Sequence, residues 1–228
     1  MNEQGERRRR KLYGRRKGPR LSAHQQSLFD TLLPVFALAI RDKANPCEYF
    51  SPPAEEVWLE VGFGGGEHFL AQAQAHPRVG MIGAEPYESG VAKLLSKLES
   101  APVPNLRIYM DDARDIIEAL PDASIVRVFI LFPDPWPKTR HHKRRFVQMQ
   151  MLDQLARVLK PRGELRFASD DAGYLNWALE RLMAHKAFEW AATRATDWKT
   201  RPLDQPQTRY ETKALHGPPA YLIFRKVG

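Results

Sequence analysis

Apolar side chains follow two rhythms along this chain. From residue 57 onward, short apolar runs alternate with stretches in which Leu, Ile, Val or Phe recurs every three to four positions. The runs at 57–61, 79–84, 106–110, 126–132, 165–168 and 221–225 read as strands. Helical patterns at 67–75, 87–100, 112–120, 143–159 and 174–185 lie between them. This alternation predicts an α/β fold, a mostly parallel sheet with helices on both faces. The 126–132 run is almost wholly apolar, as a central strand covered on both sides should be. Upstream, Leu28, Leu32, Val35, Phe36 and Ile40 repeat at helical spacing behind Ser22, a candidate N-cap, and predict one helix over 22–44. Three prolines mark residues 45–53 as a linker. The expected organisation is a tail (1–20), a helix with its linker (21–50) and one domain (51–228).

Composition narrows the class. Apolar residues make up 43% of the 228, enough for a real core, which excludes wholesale disorder. The longest apolar stretch, Leu32 to Ile40, is interrupted by Pro34 and far too short for a membrane span. One cysteine, Cys47, cannot form an internal disulfide, which fits the cytoplasm. The net charge is +8, and its location matters more than its size. Residues 1–20 carry nine basic side chains against two acids. Such a block repels itself and is expected to be disordered; it suits a phosphate backbone, and also a solubilising or targeting role.

The first strand runs into Glu-Val-Gly-Phe-Gly-Gly-Gly-Glu (60–67). Gly62, Gly64 and Gly66 at a strand-to-helix turn allow a ligand close to the backbone. A dinucleotide fingerprint would want a third glycine where Glu67 stands. Two flanking carboxylates would also repel a pyrophosphate. They suit a cationic ligand without phosphate, and S-adenosyl-L-methionine is one. Glu85 at the second strand end can accept ribose hydroxyls. Asp112 at the third can accept the adenine amine, with Asp111 as its neighbouring rival. Strand-end acids around one glycine turn resemble class I S-adenosylmethionine-dependent methyltransferases. The same acids also suit helix N-capping, and Glu67 and Asp115 fit that role as well.

The fourth strand exits into Phe-Pro-Asp-Pro-Trp-Pro-Lys (132–138). Three prolines in five residues stiffen the chain and hold Asp134 and Trp136 at the carboxyl edge of the sheet, where open α/β folds bind ligands. Trp136 suits a planar base, and equally a cover over an apolar edge. Lys138, Arg140, His141, His142, Lys143, Arg144 and Arg145 follow, with no acid among them. So much positive charge opposes a helix macrodipole at its N-terminus and points to an external phosphate. No Cys or carboxylate cluster accompanies the His pair, so no metal is expected.

These two segments, together with Thr-Arg-Tyr-Glu-Thr-Lys (208–213), closely resemble the bacterial tRNA (guanine-N7-)-methyltransferase family over roughly residues 20–228. The resemblance implies a Rossmann-like class I methyltransferase with a seven-stranded sheet, acting on a guanine N7 in the tRNA variable loop. It implies that Glu60, Glu85, Asp112 and Asp134 bind S-adenosylmethionine around Gly62, Gly64 and Gly66, with Asp134 also catalytic. It implies substrate binding by Lys138, Asp170, Thr208, Arg209, Tyr210 and Glu211. It also implies an RNA-contacting strip of Arg140, His141, His142, Lys143, Arg144 and Arg145. Asp171 competes locally with Asp170. Monomer and homodimer both stay open, as do an exocyclic-amine RNA methyltransferase, a small-molecule methyltransferase and a non-catalytic RNA-binding module.

Overall fold

The computed structural model describes residues 12–213 and 215–228, and of Tyr210 and Lys213 the backbone alone. Seven strands form one sheet: β1 (Glu56–Val61), β2 (Val79–Ala84), β3 (Leu106–Tyr109), β4 (Ile125–Leu131), β5 (Leu159–Ser169), β6 (Phe188–Trp190) and β7 (Ala220–Lys226). Their spatial order is β3-β2-β1-β4-β5-β7-β6. The first five are parallel, and β7 runs antiparallel to both β5 and β6. From β1 the chain moves outward through β2 and β3, then returns to place β4 on the other flank. The strand order reverses there, so a crevice opens outside the carboxyl ends of β1 and β4.

Alternation along the central strands explains the two-faced core. Val57, Leu59, Val128 and Ile130 face one cluster, which α5 (Ala113–Ala119), α6 (Met149–Val158) and α7 (Ala172–Ala184) close. Trp58, Phe129 and Leu131 face the opposite cluster, beneath α1 (Ala23–Thr31), α3 (Glu67–Ala75) and α4 (Glu88–Ser100). In α4, Val91, Leu94, Leu95 and Leu98 are fully buried on one face. At about 1.5–3 kcal/mol for each such side chain, hydrophobic burial anchors the element that supports the glycine loop.

Two expected elements differ, and one strand is additional. The single helix over 22–44 is instead α1, with a Ser22–Gln25 capping box, followed by the short α2 (Leu33–Phe36). Pro34 sits at the start of α2, where its missing N–H costs nothing, and the chain is extended by Ala37. Leu38 then donates to the Ile108 carbonyl at 2.8 Å and covers the sheet edge. The helix expected at 143–159 starts only at Met149, after a 3-10 turn at Thr139–Arg144. The α-helix therefore begins beyond the positive charges, as the macrodipole requires. Strand β6 was not apparent in the sequence, because three residues are too few to show a period.

Residues 1–11 of the basic tail lie outside the described residues. Residues 12–20, expected within the tail, are irregular and touch the body. Arg16 pairs with Asp111, and its carbonyl accepts from Glu88 N at 3.0 Å. This segment crosses the crevice as a strap. Among the described residues no helix is long and apolar enough to cross a membrane, and no group of three His, Cys, Asp or Glu side chains could hold a metal ion.

Candidate active site

The crevice holds a cavity of about 1320 Å³. Its floor is the glycine loop between β1 and α3. Gly64 and Gly66 take φ of 55° and 73°, a left-handed conformation costly for other residues. A Cβ on Gly66 would lie 2.7 Å from Leu94 of α4. Gly62 faces open space. Glu85, 8% exposed just beyond β2, accepts from Gly64 N at 2.7 Å and from Tyr87 N at 2.9 Å. It therefore pins the loop to the strand end. Burial pushes its carboxyl pKa up, the Tyr87 and Gly64 N–H groups oppose this, and the carboxylates of Asp134 and Glu60 add to the rise. Carboxylates from the ends of β1 and β4 thus lie within electrostatic reach of Glu85.

Glu60, 2% exposed on β1, reaches the cavity wall and bonds to His68 Nδ1 at 2.6 Å. Asp112 caps α5 by accepting from Arg114 N at 3.1 Å, and Arg114 Nε lies 2.9 Å from both its oxygens. Capping and cavity lining coexist there. Asp111 turns instead to Arg16 and to the backbone N–H of Asp112. Glu67 pairs with Lys97 at 3.3 Å, which also donates to Gly65 O.

Asp134 stands on the opposite wall, on a loop whose strain is visible. Phe132 and Trp136 both have left-handed backbones, with φ of 50° and 44°. Such conformations persist only where surroundings enforce them. Phe132 N donates to Ala168 O at 2.8 Å, and Arg145 Nε donates to Pro135 O at the same distance. Asp134 is open to the cavity, yet the protein atoms around it displace water and raise its pKa; Arg15 of the strap opposes this. A Cβ on Gly14 would come 3.7 Å from Asp134 Oδ2.

The basic strip divides. Lys138, Arg140 and Lys143 are exposed, and His141 sits edge-on to Trp136 with centroids 5.9 Å apart. His142 packs on Trp177. The Arg144 guanidinium lies between Tyr13 and Trp136, 4.7 and 4.9 Å from their rings. Arg145, expected in the RNA-contacting strip, lines the cavity but is turned inward. It is 4% exposed, donates to the Pro135 and Gly173 carbonyls, and stacks over Tyr174 and Trp177. The chain turns extended after the 3-10 segment and aims this arginine inward, where it braces the Asp134 loop.

Of the 208–213 segment, Thr208 lines the cavity. Thr208 and Glu211 cap each other across the start of α9 (Arg209–Lys213). Glu211 is buried, with Oε1 held by Tyr221 Oη at 2.7 Å and Arg201 Nε at 2.9 Å. Its carboxylate is therefore turned inward rather than toward a base. Arg209 is exposed, and the side chain of Tyr210 lies outside the described residues. Asp170 accepts from His216 N, while Asp171 caps α7 through Tyr174 N at 2.7 Å; neither lines the cavity. His68, Arg114 and the strap residues Tyr13 and Arg15 line it without any local sequence signal. Their approach depends on long-range packing.

A family model described as "Putative methyltransferase" matches residues 54–220. The 16S rRNA methyltransferase KamB is similar in fold, with a TM-score of 0.57 at 17% identity over 82% of this chain and 96% of that one. The 16S rRNA (adenine(1408)-N(1))-methyltransferase of Catenulisporales acidiphilia is similar with a TM-score of 0.52 at 20% identity, covering 77% of this chain and 87% of that one. Fold and family match together define a Rossmann-like methyltransferase. A tRNA (guanine-N(7)-)-methyltransferase of Rhodospirillum rubrum is 50% identical over 223 residues, covering 95% of this chain and 88% of the relative. One from Chelativorans sp. is 47% identical over 220 residues and 95% of each chain. This chain belongs to the tRNA (guanine-N(7)-)-methyltransferase family.

Proposed function

We propose that this protein methylates N7 of a guanine in the variable loop of tRNA, acting in the cytoplasm. The observation that carries this reading is one crevice in which the Glu60–Glu85 wall faces Asp134, with the cations Lys143 and Arg144 in its lining. An acidic wall suits a cationic donor, and a basic rim suits a polyanion.

Glu60, Glu85 and Asp112, with the glycine loop, would hold the donor. The donor supplies an electrophilic methyl group on a sulfonium. Guanine N7 carries a lone pair and no proton, so this chain needs neither a nucleophile nor a base there. Its work is alignment, which can contribute about 7–11 kcal/mol. Asp134 would accept from the guanine N1–H and amino group and offset positive charge developing on the ring. The strained 132–136 turn fixes that carboxylate in advance. Trp136 offers a stacking face for a base splayed out of the tRNA. Lys138, Asp170, Thr208 and Arg209 would register the surrounding RNA, and Arg140, His141, His142, Lys143 and Arg144 its phosphates.

The test is incubation with labelled donor and unmodified bulk tRNA, followed by nucleoside analysis and mapping. Label in 7-methylguanosine from the variable loop is expected. Label in an exocyclic-amine product, or none in tRNA, would overturn the reading.

A further inference from the structure

Helix α3 carries a buried imidazole that the reaction does not use directly. His68 is 2% exposed and lies in the first turn of the helix, two residues after Gly66. Its Nδ1 is 2.6 Å from Glu60 Oε2, and its ring packs edge-on to Phe129 at 4.5 Å. On the far side, Gln72 Nε2 is 3.2 Å from His68 Nε2 and 2.6 Å from the Asp204 carbonyl. A carbonyl can only accept, so the Gln72 amide nitrogen must face Asp204. The same nitrogen therefore donates to His68 Nε2. That leaves Nε2 an acceptor and puts the imidazole proton on Nδ1, facing Glu60.

We propose that His68 is a positioning residue for the methyl donor. It grips Glu60 Oε2 through Nδ1–H and leaves the other carboxylate oxygen for the donor's ammonium group. Gln72 sets the tautomer, and Asp204 sets Gln72. Asp204 in turn is bonded to Arg166 at 2.8 Å and belongs to the segment leading to Thr208, so the donor wall is tied to the strand β5 face and the proposed substrate side. An untethered Glu60 at the same place would rotate about its side-chain torsions and lose the geometry on which donor affinity depends. The proposal rests on reading Glu60 as a donor ligand.

Four proteins test it: wild type, His68→Ala, His68→Asn and Glu60→Gln, each measured for donor affinity by calorimetry and for steady-state kinetics with tRNA. His68→Ala should raise the donor Kd and KM by about ten- to a hundredfold, as expected for loss of a charge-assisted hydrogen bond. Turnover at saturating donor and the KM for tRNA should stay within about twofold. His68→Asn, whose side-chain amide can present an N–H in place of Nδ1–H, should recover most of the affinity. Wild-type donor affinity in His68→Ala would overturn the proposal. So would equal losses for donor and tRNA without recovery in His68→Asn, the mark of a purely structural role. Unchanged donor affinity in Glu60→Gln would sink the reading of Glu60 itself. Weakening there without weakening in His68→Ala would sink only the role of His68. Should His68→Ala fail to fold, histidine nitrogen spectra of the wild type decide, with His68→Asn for assignment: an Nδ1–H tautomer is expected, and an Nε2–H tautomer overturns the proposal.

Discussion

Asp134 is pulled two ways: crowding by protein atoms disfavours its charge, and Arg15 favours it. In the proposed role the carboxylate must be ionised to accept from guanine. Protonation on the acid side therefore removes activity, and it does so at a higher pH than for a free carboxylate. Arg15→Ala removes the opposing charge, so the acid limb of kcat/KM should move to still higher pH, while Arg15→Lys leaves it near the wild-type position. A pH–rate profile checks the direction. Asp134→Ala should lower kcat/KM on the order of a hundredfold or more with donor binding only moderately weakened, as single-turnover kinetics and calorimetry would read. The residue scale is also where sequence reading succeeds and fails side by side. Glu60, Glu85 and Asp134 are legible because apolar runs mark strand ends, and strand ends share one edge. Arg144 and Arg145 are adjacent and identical in chemistry, yet one lies between two aromatic rings at the cavity and the other is buried. Only the local chain direction separates them.

At the scale of elements, the glycine loop depends on what lies behind it. Gly66 caps α3 in a left-handed conformation against Leu94. Gly66→Ala must strain the backbone and displace that leucine, so stability should fall by about 1–3 kcal/mol, seen as a lower Tm, and donor affinity should fall with it. Arg145→Ala should likewise cost on the order of 2 kcal/mol, because the Pro135 and Gly173 carbonyls lose a charged donor. The element pattern was legible wherever a run was long enough to show its period. It misled at Pro34 and at the basic strip, where apolar spacing continued but a missing N–H and a charge run interrupted the helix.

For the molecule as a whole, positive charge is concentrated rather than spread. Residues 138–145 hold five Lys or Arg and no acid. If the exposed Arg140 and Lys143 neutralise tRNA phosphates, Arg140→Ala with Lys143→Ala should weaken binding and flatten the slope of log K against log salt by roughly 0.7–0.9 for each phosphate left without its cation. Filter binding across a salt series reads that slope. The strand order carries a consequence of another kind, for synthesis. Among the described residues, strand β6 touches the sheet only through β7, and β5 keeps an open edge until β7 arrives, although β7 follows it in the chain by about fifty residues. A growing chain therefore presents a bare β5 edge until β7 has left the ribosome, so the interval between the two strands is when it is most exposed to aggregation and to holding chaperones.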